Sequence, residues 1–240
     1  MKKAQVTLFV VVAMLIVALV VLAVYFMGIK PQKASIDAEP IKAYVQNCVE
    51  STGEDAIIFI GQQGGYSEVP EKSIGSYPYY FSGNQSYVPS KEEIEEQISL
   101  YINDMLPFCT QNFVDFPDFY VEANPLSINT KTTILEDEII LEADWTVYIR
   151  KAETTYSIGK FSAKVKSRLN SIYSVAQSII EEQIKEPSSI CLSCLTKFGT
   201  ENNLYVDMAN YENNTVLFTL VDNQTLIKNQ PYEFIFANKY

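Results

Sequence analysis

Apolar residues fall along this chain in three different rhythms. The first is unbroken: no charged residue stands between Gln5 and Ile29, and Leu8 to Phe26 are almost all aliphatic or aromatic. The second is helical. Ile41, Tyr44, Val45, Cys48, Val49, Thr52, Ala56, Phe59 and Ile60 recur every three to four positions, which predicts a helix from about residue 39 to 62 with Pro40 in its first turn. Ser90 followed by Glu93 is a capping box that opens a second helix over about 91–113. Its buried stripe is Ile94, Ile98, Tyr101, Ile102, Met105, Cys109 and Phe113, and Pro107 is expected to kink it.

The third rhythm is a period of two. Strands are predicted at about 119–123, 131–136, 138–150 and 154–166, with Glu136-Asp137 and Lys151-Ala152-Glu153 as turns. Helical spacing then returns in Leu169, Ile172, Tyr173, Ala176, Ile179, Ile180 and Ile184, ended by Pro187. A short fourth helix carries Ile190, Cys191, Cys194, Leu195 and Phe198 on one face, with Gly199 as its stop. Three alternating stretches close the chain, around Leu204-Val206-Met208, Val216-Phe218-Leu220 and Tyr232-Phe234-Phe236. Residues 66–90, with Pro70, Pro78 and Pro89 and five tyrosines, read as a long loop holding one short strand at about 77–81. Those tyrosines either cover a core or present amphipathic rings for contact. The fold class is α+β: antiparallel strands covered on one face by helices, following one transmembrane helix.

The unbroken run decides the organisation. About 20 apolar residues cross a bilayer as a helix, whereas a cleavable secretory signal has a shorter apolar core. Residues 1–30 therefore read as a retained anchor that meets the lipid bilayer through residues 6–29. Residues 31–38 form a linker and 39–240 an extracytoplasmic domain, with a sub-boundary near 187. Lys2 and Lys3 before the run are nearly balanced by Lys30 and Lys33 after it, so flanking charge does not set orientation. The short head and the long cysteine-bearing remainder do. The expectation is a single-pass protein of the cell membrane with a cytoplasmic N-terminus.

Without Lys2 and Lys3, 16 Lys and Arg face 29 Asp and Glu. Such a surface repels nucleic acid and stays soluble. The chain has no histidine, which excludes Ser-His-Asp and Cys-His nucleophile systems and every zinc site built on imidazole. Glu92, Glu93, Glu95 and Glu96 sit in the first turns of a predicted helix, where carboxylates complement the dipole and face water. The glycine-rich Gly61-Gln62-Gln63-Gly64-Gly65 follows a helix and precedes a loop, the reverse of a phosphate-cradling context, and reads as a left-handed helix cap. No catalytic residue, cofactor or metal site is expected.

The four cysteines are Cys48, Cys109, Cys191 and Cys194. An even number in an exported domain favours disulfides, and the economical pairing joins Cys48 to Cys109 across two helices and Cys191 to Cys194 locally. A four-thiolate zinc site and a redox-active C-x-x-C at a helix start remain as alternatives. Asn84, Asn213 and Asn223 each begin an N-x-S/T sequon and permit glycosylation.

Lys2-Lys3-Ala4-Gln5-Val6-Thr7-Leu8-Phe9 resembles the type III signal of archaeal type IV pilin-like proteins. The resemblance implies processing between Ala4 and Gln5 with the apolar run retained. Where many pilins carry a glutamate at the fifth mature position, this chain has Phe9. Further along, Gln63-Gly64-Gly65-Tyr66, Ile190 to Leu195 and the ending Phe234 to Tyr240 are similar to a group of uncharacterised membrane-anchored extracytoplasmic proteins of small-genome archaea. Together these readings point to a non-enzymatic structural or interaction protein of the cell envelope, whose partners are envelope proteins or other copies of itself. A pilin-like subunit is the alternative, and a thiol-disulfide oxidoreductase using Cys191 and Cys194 the third reading.

Overall fold

The computed structural model describes residues 12–23 and 37–240, and all that follows concerns those residues. Residues 12–23 are helical (α1) and exposed, and the rest of the apolar run lies outside the described residues, as do Ala4 and Gln5. Among the described residues no helix is long and apolar enough to cross a membrane. Asp37–Tyr240 form one compact unit.

That unit opens with α2 (Glu39–Gln62), which has Pro40 in its first turn and buries Ile41, Val45, Cys48, Val49, Ala56, Ile57 and Ile60. Its end is the glycine cap. Gly64 and Gly65 both have positive φ, at 55° and 93°. The Gly65 amide donates to the Ile60 carbonyl (2.8 Å) and the Gly64 amide to that of Gly61 (3.1 Å), the paired bonds of a Schellman motif. A Cβ on Gly61 would stand 2.6 Å from the Glu233 carbonyl oxygen, so this glycine lets the helix end settle against a strand.

The segment after the cap is more regular than a loop. It forms β1 (Ser73–Ile74), β2 (Tyr77–Ser82) and β3 (Gln85–Ser86), and β2 buries Tyr80 and Phe81. Next comes α3 (Lys91–Thr110), opened by the reciprocal Ser90–Glu93 capping box. It contains Pro107 but ends at Thr110 rather than 113. Gln111, Asn112 and Phe113 take positive φ in succession (45°, 52° and 58°) and turn the chain away. Met105, expected in the buried stripe of α3, is exposed, and Tyr101 and Cys109 are only half-buried. α3 is covered on one side by α2 and on another by the strand Asn129–Ile134, through Glu95, Ser99 and Asn103, and Met105 stays outside that cover.

Two sheets follow. In the first, the long β6 (Glu138–Lys151) pairs antiparallel with β7 (Thr154–Lys166) along one edge, and with β5 (Asn129–Ile134) and β4 (Tyr120–Ala123) along the other. After α4 (Leu169–Lys185) and α5 (Leu192–Asn202) comes the meander of β8 (Tyr205–Tyr211), β9 (Thr215–Ile227) and β10 (Gln230–Lys239). β2 joins this meander parallel to β10, which makes a mixed six-stranded sheet, order β1-β2-β10-β9-β8 with β3 on β2. The α+β class holds, but the expected single antiparallel layer is two sheets, one of them mixed. α2 seats both: Gly53 faces the Leu141 side chain on β6, and Gly61 faces Tyr232 and Glu233 on β10. Gly199 does not stop the fourth helix. α5 runs on to Asn202 and ends at Asn203 in the left-handed region (φ 52°). A Cβ on Gly199 would lie 2.8 Å from the Leu204 carbonyl oxygen, so it marks close packing of α5 on the start of β8.

Candidate functional site

The cysteines are the chemically distinctive residues, and the structure pairs all four. Cys48 on α2 and Cys109 on α3 are bonded, with Cα atoms 5.7 Å apart and a sequence separation of 61. The two helices run antiparallel there, and the Tyr44 hydroxyl donates to the Cys109 carbonyl oxygen at 3.1 Å. Cys191 and Cys194 are bonded across a separation of 3, with Cα atoms 5.2 Å apart. Cys191 is also the N-cap of α5, and its Sγ accepts the Cys194 amide at 3.2 Å. Thus two sulfurs tie α2 to α3, the other two lie together at the start of α5, and the four do not converge on one centre. Among the described residues, no group of three or more His, Cys, Asp or Glu side chains is arranged to hold a metal ion.

The surroundings of Cys191 and Cys194 bear on redox work. The hollow beside them, lined by Gln183, Ile190, Phe198 and Phe218, has a volume of about 10 Å³. That is room for about one water, and Cys191 and Cys194 are themselves part-exposed at the surface. A larger open groove of about 490 Å³ runs between α5 and β8, past Leu192, Thr196, Leu204, Val206 and Met208. β8 is the edge strand of its sheet.

A second hollow, about 290 Å³, lies on the outer face of the four-stranded sheet. Register builds it. Tyr120 pairs with Arg150 and Glu122 with Tyr148, while Thr155 opposes Arg150 from β7. All five side chains line the same hollow, and the Arg150 guanidinium lies 4.3 Å from the centre of the Tyr120 ring. That contact is a cation–π pair that holds both side chains against the sheet.

The third surface is the end of the domain where α2 begins. The Tyr44 ring packs against Phe113 (6.3 Å) and Phe116 (5.2 Å), and Phe113 lies 6.0 Å from Trp145. The Trp145 indole nitrogen donates to the Asn124 carbonyl oxygen at 2.9 Å and so fixes the loop that carries Leu126. Burial, and then the Asp115 carboxylate, raise the Tyr44 hydroxyl above its ordinary pKa, which keeps it a neutral donor. Around this knot Phe108, Val114 and Leu126 stand 72%, 66% and 95% exposed.

The five tyrosines of residues 66–87 divide between the two roles left open for them. Tyr80 is fully buried, its ring stacked 4.4 Å from Phe236 and its hydroxyl donating to the Gly64 carbonyl oxygen. The other four, Tyr66, Tyr77, Tyr79 and Tyr87, are partly exposed. The sequon asparagines are all exposed: Asn84 in the β2–β3 turn, Asn213 in the β8–β9 turn and Asn223 on β9. Sequence reasoning missed the Tyr120–Arg150 hollow and the bare tip. The first depends on cross-strand register, and the only local sign of the second was a run of Phe and Val without a helical or alternating partner.

No protein-family model matches the chain, and no match to a curated protein or a solved structure was found.

Proposed function

We propose that this chain is a membrane-tethered extracytoplasmic protein of the cell envelope, acting through its surface as a structural or interaction module rather than as a catalyst. The observation that carries the reading is the Cys48–Cys109 bridge, which joins two helices far apart in sequence and is buried on the Cys48 side. Bridges of this kind form and persist in oxidising compartments. The uncharged run from Gln5 to Ile29 supports a tether, and the acidic balance supports a solvated exterior. The exposed rings of Tyr120, Tyr148, Tyr205 and Tyr211 support an interacting surface, since amphipathic rings are enriched where proteins meet partners. The oxidoreductase reading has less support, because Cys191 and Cys194 lie at the connection between two helices, α4 and α5, rather than after the first strand of a βαβ unit.

Protease added to intact cells should digest residues 38–240, and a non-reducing peptide map of the recovered protein should hold a 48–109 cross-linked peptide. Protection of that region until lysis would sink the orientation. A map with four free thiolates and stoichiometric zinc would sink the structural bridges. A first peptide beginning at Gln5, together with filaments on the cells, would favour the pilin-like subunit.

A further inference from the structure

We propose that the end of the domain around Tyr44 makes a second, independent contact with lipid, in which Phe108, Val114 and Leu126 dip into the headgroup–acyl boundary of the bilayer. The inference rests on the tethered reading above and adds a membrane-facing surface to it. Three observations carry it. First, these side chains are the barest large apolar groups of the domain, at 72%, 66% and 95% exposed, although they come from a helix, a turn and a strand connection. Water penalises such exposure, and the three flank one connected knot: Tyr44 bonds the Cys109 carbonyl, Phe113 packs on Tyr44 and Trp145, and Trp145 bonds Asn124. Second, they are rigidly presented. Phe108 adjoins the bridged Cys109, Val114 adjoins the buried Phe113, and the Leu126 loop is held by the Trp145 to Asn124 hydrogen bond.

Third, the chain itself says what lies nearby. The domain begins at Asp37, and Tyr44 at the centre of the knot lies within the first two turns of α2. Only residues 30–36 separate Asp37 from the end of the apolar run. Whatever its conformation, that stretch reaches at most about 25 Å. A bilayer holding the apolar run is thus the one large apolar phase always within reach of this end. Residues 108–126 contain Asp115, Asp118 and Glu122 and no Lys or Arg, but Lys151 lies 4.6 Å over the Phe119 ring and Arg150 4.3 Å over that of Tyr120, so the charge here is mixed and the contact is carried by the apolar side chains.

The test uses the full chain in phosphatidylcholine liposomes, with Leu126→Trp compared with Tyr211→Trp. Tyr211 ends β8 beyond the other end of α2: β10 passes Gly64 at Ile235 and continues to Lys239, which pairs with Thr215, the partner of Tyr211. The native Trp145 is buried and supplies a constant background. Tryptophan avoids adding a free thiol next to two disulfides. With phosphatidylcholine brominated high on its acyl chains, the added fluorescence of Leu126→Trp should fall by about half and that of Tyr211→Trp by less than about a tenth, as expected of rings seated in and out of the interface. A chain that floats with the liposomes but shows equal, weak quenching at 126 and 211 overturns the lipid contact while leaving the tether standing. If the same chain also runs as a dimer, a second copy covers the tip instead. A chain that does not float overturns the tether and this contact together.

Discussion

Two helix pairs hold this domain, and each has one disulfide, but the bridges do different work. α2 and α3 are joined to one another by Cys48–Cys109, which closes a long stretch of chain containing β1 to β3. On the other pair, Cys191–Cys194 lies wholly at the start of α5 and fastens it to nothing else. There the cross-link is electrostatic. Arg168, the residue before α4, donates through Nη1 to Asp222 Oδ1 on β9 at 3.0 Å and through Nη2 to the Asn202 carbonyl oxygen at the end of α5 at 2.6 Å. A covalent bridge acts chiefly by restricting the unfolded chain, whereas a buried ion pair depends on both partners being present. The domain therefore has one fastening that survives any single weak contact and one that fails when either half is lost.

Breaking the electrostatic fastening should have the largest effect. Arg168→Ala leaves the carboxylate of Asp222, fully buried on β9, without its counter-charge, and removing one partner of such a pair costs about 3–5 kcal/mol. Denaturant melts of the full chain in detergent would read it. A double change to apolar residues of similar volume at 168 and 222 should recover most of the loss, because no charge is then stranded. A single variant that melts like the wild type would show that the pair contributes nothing.

The covalent fastening comes next. Cys48→Ala with Cys109→Ala should cost about 2–4 kcal/mol through the freed unfolded chain. The bridge and the Arg168 pair share no residue, so the two losses should add to within about 0.5 kcal/mol. Strong departure from additivity would mean that the two helix pairs form one cooperative network.

The same contrast explains what could be read in the sequence. Local features were legible because local chemistry decides them: the Ser90–Glu93 capping box, the Gly64–Gly65 cap and the alternation through β6 and β7. The Cys48–Cys109 pairing was legible because each cysteine lies on the apolar band of its own helix. Non-local pairing was not. Nothing in Tyr77 to Ser82 announces a strand parallel to β10, since its partner comes over 150 residues later. Gly199 looked like a stop because a glycine needed for close approach and one needed for positive φ are the same residue in a sequence. The left-handed run of Gln111 to Phe113 was equally hidden. Asn112 tolerates that backbone, but Phe113 takes it only because Tyr44 and Trp145 hold its ring. The Tyr120–Arg150 hollow depends on β4 pairing with the far half of β6, past a register shift between Asp144 and Val147.

The smallest effect separates two roles of one residue. Cys191 is both half of the local bridge and the N-cap of α5, its Sγ accepting the Cys194 amide. Cys191→Ala with Cys194→Ala removes both roles, whereas Cys191→Ser with Cys194→Ala removes the bridge and leaves an oxygen in the capping position. Serine is among the preferred N-caps, and its loss to alanine typically costs about 1 kcal/mol. The serine variant should therefore be more stable than the alanine variant by about 0.5–1 kcal/mol, with the difference confined to amide protection in α5. Loss of the small loop alone should then remain below the loss measured for Cys48–Cys109, since a loop closed over a few residues restricts the unfolded chain less than one closed over 61. Equal stability of the two variants would assign the whole contribution of this motif to the bridge. In that case α5 is held by its sulfur–sulfur bond and by Arg168 together, and the division of labour between the helix pairs is weaker than the geometry implies.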